Sequence, residues 1–490
     1  MRSRRDVAAV GLRQCGAWLR ALSFVFVLVT ASASAREELQ LPPSVARAMK
    51  DAGVSADHVS ILVRDASTNE TVVELNADRP RSPASTIKAL TTFVALDSLG
   101  PSYTWKTRVY RTGKLTNGVL NGDLVLVGGG DPYMTSERWW SLVQNLRELG
   151  VAKINGDIVI DNSYFAPAAA QRGDFDDRPW RSYNVLPDAL MVNFQTSRFT
   201  MTVSPQRSRP QVVVNPLPAN LNVTNLAQLG GGKCQGENGG LEFNTPEDGA
   251  TSTIVISGVM SASCGVVSAN RAIMTAPEYA YGTFRTFWTQ SGGAIDGGLK
   301  LASLPKDAVQ LYAFESLPMA EIIRLVNKFS NNVMARTLML TLGAEKFGPP
   351  ATTQNGREAV RAWLTEHQIR IPGLLLENGS GLSRDERVTV RGMTDVLDVA
   401  WHSPFMPEFA ASLPLAATDG TLRNRFRAAG MHGRLRLKTG RIDDVSGLAG
   451  FVNAASGKTY VLAILVNHPG AQNGSGEAIQ AELIRWVFGQ

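Results

Sequence analysis

Apolar and polar residues follow three different rhythms along this chain. Between about residues 40 and 105 the runs VSILVRD (59–65) and TVVELNA (71–77) are rich in β-branched residues. The polar pentapeptide ASTNE between them predicts a turn joining two neighbouring strands. From Ser85 the spacing lengthens. Ile87, Leu90, Val94 and Leu99 recur near a period of three to four residues, which predicts a helix stopped by Gly100-Pro101.

From about 106 to 300 the texture changes. Short runs such as DLVLVGG, GDIVIDN, RFTMTVS and STIVISG alternate with clusters of Gly, Pro and Asn. This pattern predicts strand-rich material with many turns, and LGGGKCQGENGG (229–240) predicts an exposed loop. From about 315 helical spacing returns. LPMAEIIRLVNKFSNNVMARTLML (317–340) reads as one long amphipathic pattern, followed by GREAVRAWLTEH and VTVRGMTDVLDVAWH. GRLRLKTG (433–440) alternates as a strand. GLAGFVNAASGKTYVLAILVN predicts a hairpin turning at Ser456-Gly457, and GEAIQAELIRWVF a closing helix. The first and third zones, 36–105 and 301–490, thus read as two pieces of one mixed α/β domain, with the β-rich zone inserted between them. There is no internal repeat.

A chain of 490 residues, 44% hydrophobic and 19% charged, is long enough for two or three domains and has the composition of a globular protein. Its net charge of +6 changes meaning once the N-terminus is set aside. Five arginines against Asp6 in residues 1–35 account for +4 of it, leaving +2. With no basic run interleaved with aromatics, nucleic acid is not an expected partner. The positive N-terminus, the short apolar run ALSFVFVLVTA and the small residues Ala33-Ser34-Ala35 predict a signal peptide over 1–35 and an exported chain cleaved near Ala35. The apolar run is too short for a permanent membrane anchor. Outside the cytosol, Cys234 and Cys264 are expected to pair as a disulfide.

Most familiar sites are missing from the sequence. The five histidines show no metal-binding spacing, and there is no phosphate loop or G-x-S-x-G elbow, so no metal and no cofactor are expected. What remains is S-x-x-K (Ser85, Lys88), then S-x-N (Ser330, Asn332), then K-T-G (Lys438, Thr439, Gly440). Each occurs by chance elsewhere. SLPK at 303–306 repeats the first and SAN at 268–270 the second. Taken alone, Ser85 reads as a helix cap and Lys88 as a solvated charge.

The order and context give the three motifs their weight. Residues i and i+3 share a helix face, so Lys88 can reach the Ser85 hydroxyl. A serine needs a base to attack a carbonyl at neutral pH, and a lysine serves if burial and a nearby cation disfavour its charged form. Lys438 can be that cation. The N–H groups at the helix start face a developing oxyanion. A strand carrying Lys438 can bind an extended peptide by strand addition. Ser330 can relay a proton to the leaving amine, and Asn332 can donate to the substrate backbone.

These motifs resemble those of the penicillin-recognising serine acyltransferases. The long separation of Ser85 from Ser330, filled by β-rich sequence, is similar to the low-molecular-mass class C penicillin-binding proteins. These are D-alanyl-D-alanine carboxypeptidase/endopeptidases of the DacB type, peptidase family S13. VGGGDP, DIVIDNSYF, NGSGLSR (378–384) and ATDGTL (417–422) also look like that family.

The resemblance implies a fold, an α/β (α+β) serine transpeptidase-like domain with nested β-rich inserted domains. The inserted domain would comprise 106–185 and 266–300, with a further domain at 186–265 nested within it. It implies an acyl-enzyme on Ser85 with Lys88 as base, Ser330 and Asn332 completing the site, and Lys438, Thr439 and Gly440 binding substrate. It further implies peptidoglycan stem peptides and crosslinks as substrates, β-lactams as acylating ligands, and a periplasmic location. Arg384 and an acid of GDFDDRPW, Asp177 or its neighbour Asp176, are expected to meet the zwitterionic end of a diaminopimelate side chain.

One residue departs from the family. After K-T-G the family commonly has Thr or Ser, and this chain has Arg441. Its backbone N–H remains available for an oxyanion hole, while its side chain is expected either to pair with the substrate carboxylate or to point away. A β-lactamase or esterase with the same core, and a non-catalytic peptidoglycan-binding protein, are the alternatives. The oligomeric state is not legible in the sequence.

Overall fold

The computed structural model describes residues 41–490 apart from Pro205, 246–252 and Ala429. The expected signal peptide lies outside the described residues. Among those described, no helix is long and apolar enough to cross a membrane.

Two strands from the start of the chain and three from its end form one antiparallel sheet. Its order is Leu435–Ile442, Val445–Asn453, Thr459–Asn467, Val59–Asp65, Thr71–Leu75. The register sets Val59 against Val466 and Asp65 against Tyr460. The expected hairpin is present, with Asn453 paired to Thr459 and Gly457 at φ +92° in the turn. Its strands are apolar almost without interruption because both faces of the sheet are buried. Ile61 and Val63 enter one core with the helices Pro43–Asp51 and Ser475–Phe488. Leu62, between them, enters the other core with the helices Ile87–Leu99 and Val390–His402.

The inserted segment begins as a strand, Lys106–Arg111, that lies next to the edge of a second sheet, between Leu124–Val127 and Val309–Glu315, with Ile158–Asp161 and Leu299–Leu301 beyond. Val309–Glu315 pairs with Lys106–Arg111, so this layer draws on residues beyond 300. Two helices, Ser136–Glu148 and Ala276–Gln290, share a core with it. The turn-rich texture of this zone hid both. Each starts at a threonine cap, Thr135 or Thr275, and buries an apolar face that includes Trp139, Leu142 and Phe284. A further pair of small sheets is built around Ser197–Thr202 and Thr253–Ser261. There Cys234 and Cys264 form a disulfide that ties the glycine-rich loop to the turn Ala262–Cys264.

The pattern over 317–340 is not one helix. It breaks into Met319–Phe329 and Asn332–Phe347. Ser330 turns the chain with left-handed angles, φ +55° and ψ +39°. Asn331 then caps the second helix, its side chain accepting from the Met334 N–H at 3.0 Å. Apolar periodicity continues across the break, so only the cap chemistry of Ser-Asn-Asn marks it. The break is what turns Ser330 and Asn332 into the site.

Candidate active site

Ser85 lies on a single 3₁₀ turn, Ala84–Thr86, that leads into the helix Ile87–Leu99. Its hydroxyl caps neither element. Ala84 before it holds φ +44°, a strained setting for a residue with a side chain. Two glycines let other segments reach this turn. A Cβ at Gly440 would lie 2.5 Å from the Pro83 carbonyl oxygen, and one at Gly381 would lie 1.9 Å from that of Ala84. The strand Leu435–Ile442 and the loop around 380 therefore press directly on the serine.

Lys88 is fully buried and has three oxygen partners. Its Nζ lies 2.8 Å from Ser85 Oγ and 2.6 Å from Asn332 Oδ1, and it also donates to the Ser380 carbonyl. A neutral amine has two N–H bonds and one lone pair. Asn332 Oδ1 and Ser380 O can only accept, so they take the two N–H groups. In the neutral form the remaining lone pair would face the Ser85 hydroxyl. Burial first, then the charge of Lys438, push the Lys88 pKa well below its usual value, and Glu386 pulls the other way.

Lys438 is also fully buried, and burial pushes its pKa down to about 7. Its Nζ donates to Ser330 Oγ at 2.9 Å and to the Thr439 carbonyl at 2.8 Å. It sits on the edge strand of the five-stranded sheet. Near Leu437 that edge is covered, because the Leu437 N–H donates to the Pro414 carbonyl at 3.0 Å. The described residues set no further strand against Lys438–Ile442. Thr439 Oγ1 donates to Thr421 at 2.8 Å. Arg441 shares that face by alternation and is exposed.

Sequence patterns missed several of these groups. Ser380 contributes a carbonyl, which no side-chain motif reveals. Glu386 is a fully buried acid whose carboxyl accepts from the N–H groups of Glu377 and Gly379 at 3.2 and 3.3 Å. It fixes the loop that carries Ser380, and burial raises its pKa. Lys328, two residues before Ser330, is anchored by Asp419 at 2.8 Å and the Leu413 carbonyl at 2.6 Å. Asp419 belongs to ATDGTL, so that stretch steadies the Ser330 turn and supplies Thr421.

The expected side-chain subsite is only partly assembled as foreseen. Arg384 borders a hollow of about 650 Å³. It pairs with Asp443 at 3.2 Å, and its guanidinium lies 5.0 Å from the centre of the Phe175 ring. Asp177 does not line that hollow, whereas Asp174 and Asp385 do. Asp176 is occupied by Tyr183 Oη and Asn184 Nδ2, each at 2.6 Å.

Comparison with known proteins agrees with this architecture. The chain is 27% identical to the D-alanyl-D-alanine carboxypeptidase of an Actinomadura species, over 96% of this chain and 90% of that one. It is 24% identical to the D-alanyl-D-alanine carboxypeptidase DacB of Haemophilus influenzae, over 84% and 85%. The crystal structure of penicillin-binding protein 4 from H. influenzae superposes with a TM-score of 0.78 at 22% identity, covering 91% of this chain and 99% of that one. The fold is therefore that of a penicillin-binding protein with its insertion. The family model for the D-Ala-D-Ala carboxypeptidase 3 (S13) family matches residues 41–488, and the chain belongs to that family of peptidases.

Proposed function

We propose that this protein is a serine-type D-Ala-D-Ala carboxypeptidase and DD-endopeptidase that acts on peptidoglycan stem peptides and crosslinks through an acyl-enzyme on Ser85. The observation that carries this reading is the fully buried Lys88 Nζ, 2.8 Å from Ser85 Oγ and held there by the oxygens of Asn332 and Ser380. Lys88 takes the Ser85 proton as Oγ attacks the carbonyl carbon of the penultimate D-Ala. The N–H groups of Ser85 and Arg441 receive the oxyanion. The proton passes by way of Ser330 to the leaving nitrogen, the C–N bond breaks, and the terminal residue departs. Water then attacks the ester, Lys88 takes its proton, and Ser85 is released with a proton restored.

The free edge at Lys438–Ile442 suits an extended stem peptide bound as an added strand. In a carboxypeptidase step the leaving residue is D-Ala. In an endopeptidase step it is the crosslinking diaminopimelate. Arg384 and Asp174, which border the same hollow, suit the zwitterionic end of a diaminopimelate side chain. β-Lactams acylate the same serine, in keeping with a crystal structure of the H. influenzae protein in complex with one. A periplasmic location follows from the exported N-terminus and the substrate.

Intact-protein mass spectrometry with benzylpenicillin tests the reading, wild type beside Ser85→Ala. A persistent adduct absent from the variant is expected. Rapid penicillin consumption without an adduct would indicate a β-lactamase, and neither adduct nor consumption a binding protein without catalysis.

A further inference from the structure

Beyond Ser330 the wall of the site continues into a second, larger hollow of about 1040 Å³. Its lining starts at Phe329–Val333 and runs across the inserted region to the helix Ser136–Glu148 and the strand Ser197–Thr202. Two large rings on this lining stand out of the surface, Phe329 at 71% exposure and Trp140 at 48%. Exposed rings gathered at one concavity mark a contact surface rather than scatter. Small-molecule pockets run from roughly 300 to 1,000 Å³, so this one is larger than a terminal dipeptide needs.

Its charge is distinctive. Glu137 and Arg198 are the only charged side chains among the lining residues. The polar remainder is amides and hydroxyls, including Asn193, Asn215, Asn270 and Asn331. The hollow beside Arg384 is the opposite, bordered by Arg172, Asp174, Arg336, Arg357 and Asp385 as well. An anionic or zwitterionic peptide fits that second environment. Flat rings with amides between them fit uncharged sugars, whose C–H faces stack on aromatics while N-acetyl and hydroxyl groups pair with amides.

The wall is also held in place. Asn193, Phe194 and Gln195 take φ values of +47°, +53° and +53° in succession, and none is glycine. Such a run persists only where surroundings over-determine it. The Asn193 N–H donates to the Met134 carbonyl at 2.7 Å, its Nδ2 donates to the Thr196 carbonyl at 2.7 Å, and Gln195 accepts from Arg172. A surface set before the ligand arrives loses less ordering entropy on binding.

We infer that this hollow is a subsite for the glycan part of the substrate, a short run of N-acetylated sugars. The inference rests on the proposed peptidase reading, since the sugar chain is what carries the stem peptide into a site continuous with Ser330 and Asn332. The enzyme then recognises its polymer at two chemically different places, charged for the peptide and neutral for the sugar.

The test uses an N-acetylglucosamine hexamer as probe, titrated calorimetrically into the mature chain and into Ser85→Ala. Binding to both is expected. Trp140→Ala should weaken it at least tenfold, and Trp140→Phe, which keeps a ring, should restore most of it. Trp140→Ala should also lower, at least fivefold, the ratio of kcat/KM on glycan-linked pentapeptide to that on free pentapeptide. No binding of the hexamer to the wild-type chain, or a ratio unchanged by Trp140→Ala, would overturn the subsite. Failure of benzylpenicillin to acylate Ser85 would instead overturn the peptidase reading, and sugar binding would still be measurable.

Discussion

Asn332 Oδ1 lies 2.6 Å from Lys88 Nζ, joining the second motif to the base of the first. This contact orients the amine, and it works because an amide oxygen accepts without carrying charge. Asn332→Asp would place an anion beside the buried lysine and restore its charged form. Acylation by benzylpenicillin at pH 7 should then fall by about 10²- to 10⁴-fold, the usual worth of a positioned general base. Stopped-flow acylation kinetics check this, and a loss under threefold would refute the assigned role.

The neighbours of Lys88 set the acid limb of the pH profile in opposite directions. Lys438 depresses the Lys88 pKa. Lys438→Met removes that repulsion, so Lys88 holds its proton to higher pH and the limb of acylation rate against pH moves up. The shift is confined to pH below about 7, where Lys438 itself is charged. Glu386 raises the Lys88 pKa, so Glu386→Gln should move the limb down. Arg336, the other charge acting on Lys88, is unchanged in both variants. Limbs that move in the same direction would contradict this account.

Gly440→Ala tests the close approach of the edge strand to the serine turn. The new methyl would sit 2.5 Å from the Pro83 carbonyl oxygen and 2.9 Å from the Thr86 nitrogen. Both are backbone atoms, so the strand or the turn must shift by several tenths of an ångström. Since a misplacement of about 1 Å costs roughly a hundredfold, this smaller shift should reduce the acylation rate by up to about that factor. Circular dichroism alongside the kinetics separates misplacement from unfolding.

Arg441 stands where a small hydroxyl is common in the family, on the exposed face shared with Thr439. If it meets the carboxylate of the terminal residue, Arg441→Thr should change the ratio of carboxypeptidase to endopeptidase turnover. Exposed ion pairs contribute up to about 1 kcal/mol, so the change should be about fivefold at most. Chromatography of the two product classes measures it, and an unaltered ratio would show that the side chain points away.

Much of the site was legible because its chemistry lies in side chains at fixed spacing. Ser85 and Lys88 sit three residues apart at the start of a helix, and Lys438 lies on an alternating strand. What stayed hidden depends on long-range burial or on backbone atoms. Glu386 lies in a polar stretch and reads as a surface acid, yet it is fully buried beneath the Ser380 loop. The helix break at Ser330 is masked by apolar spacing that continues on both sides. Asp177 was singled out within a short acidic run, where the local turn, not the composition, decides which carboxylate borders the hollow beside Arg384. Asp176 is spoken for by Tyr183 and Asn184, and Asp174 takes the place beside the hollow.

The sheet that pairs Val59 with Val466 also bears on how the protein comes into being. The serine is synthesised early, but the strand beside its own first strands is among the last parts of the chain to emerge. Contacts so distant in sequence form slowly, whereas the insertion can close its own shorter-range pairings first. Until the last strands arrive, Lys88 has neither Lys438 to suppress its charge nor a completed sheet to bury it. On the proposed reading Ser85 is therefore armed only by completion of the fold, and a chain cut short before Leu435 would lack both Lys438 and the strand that packs on the serine turn.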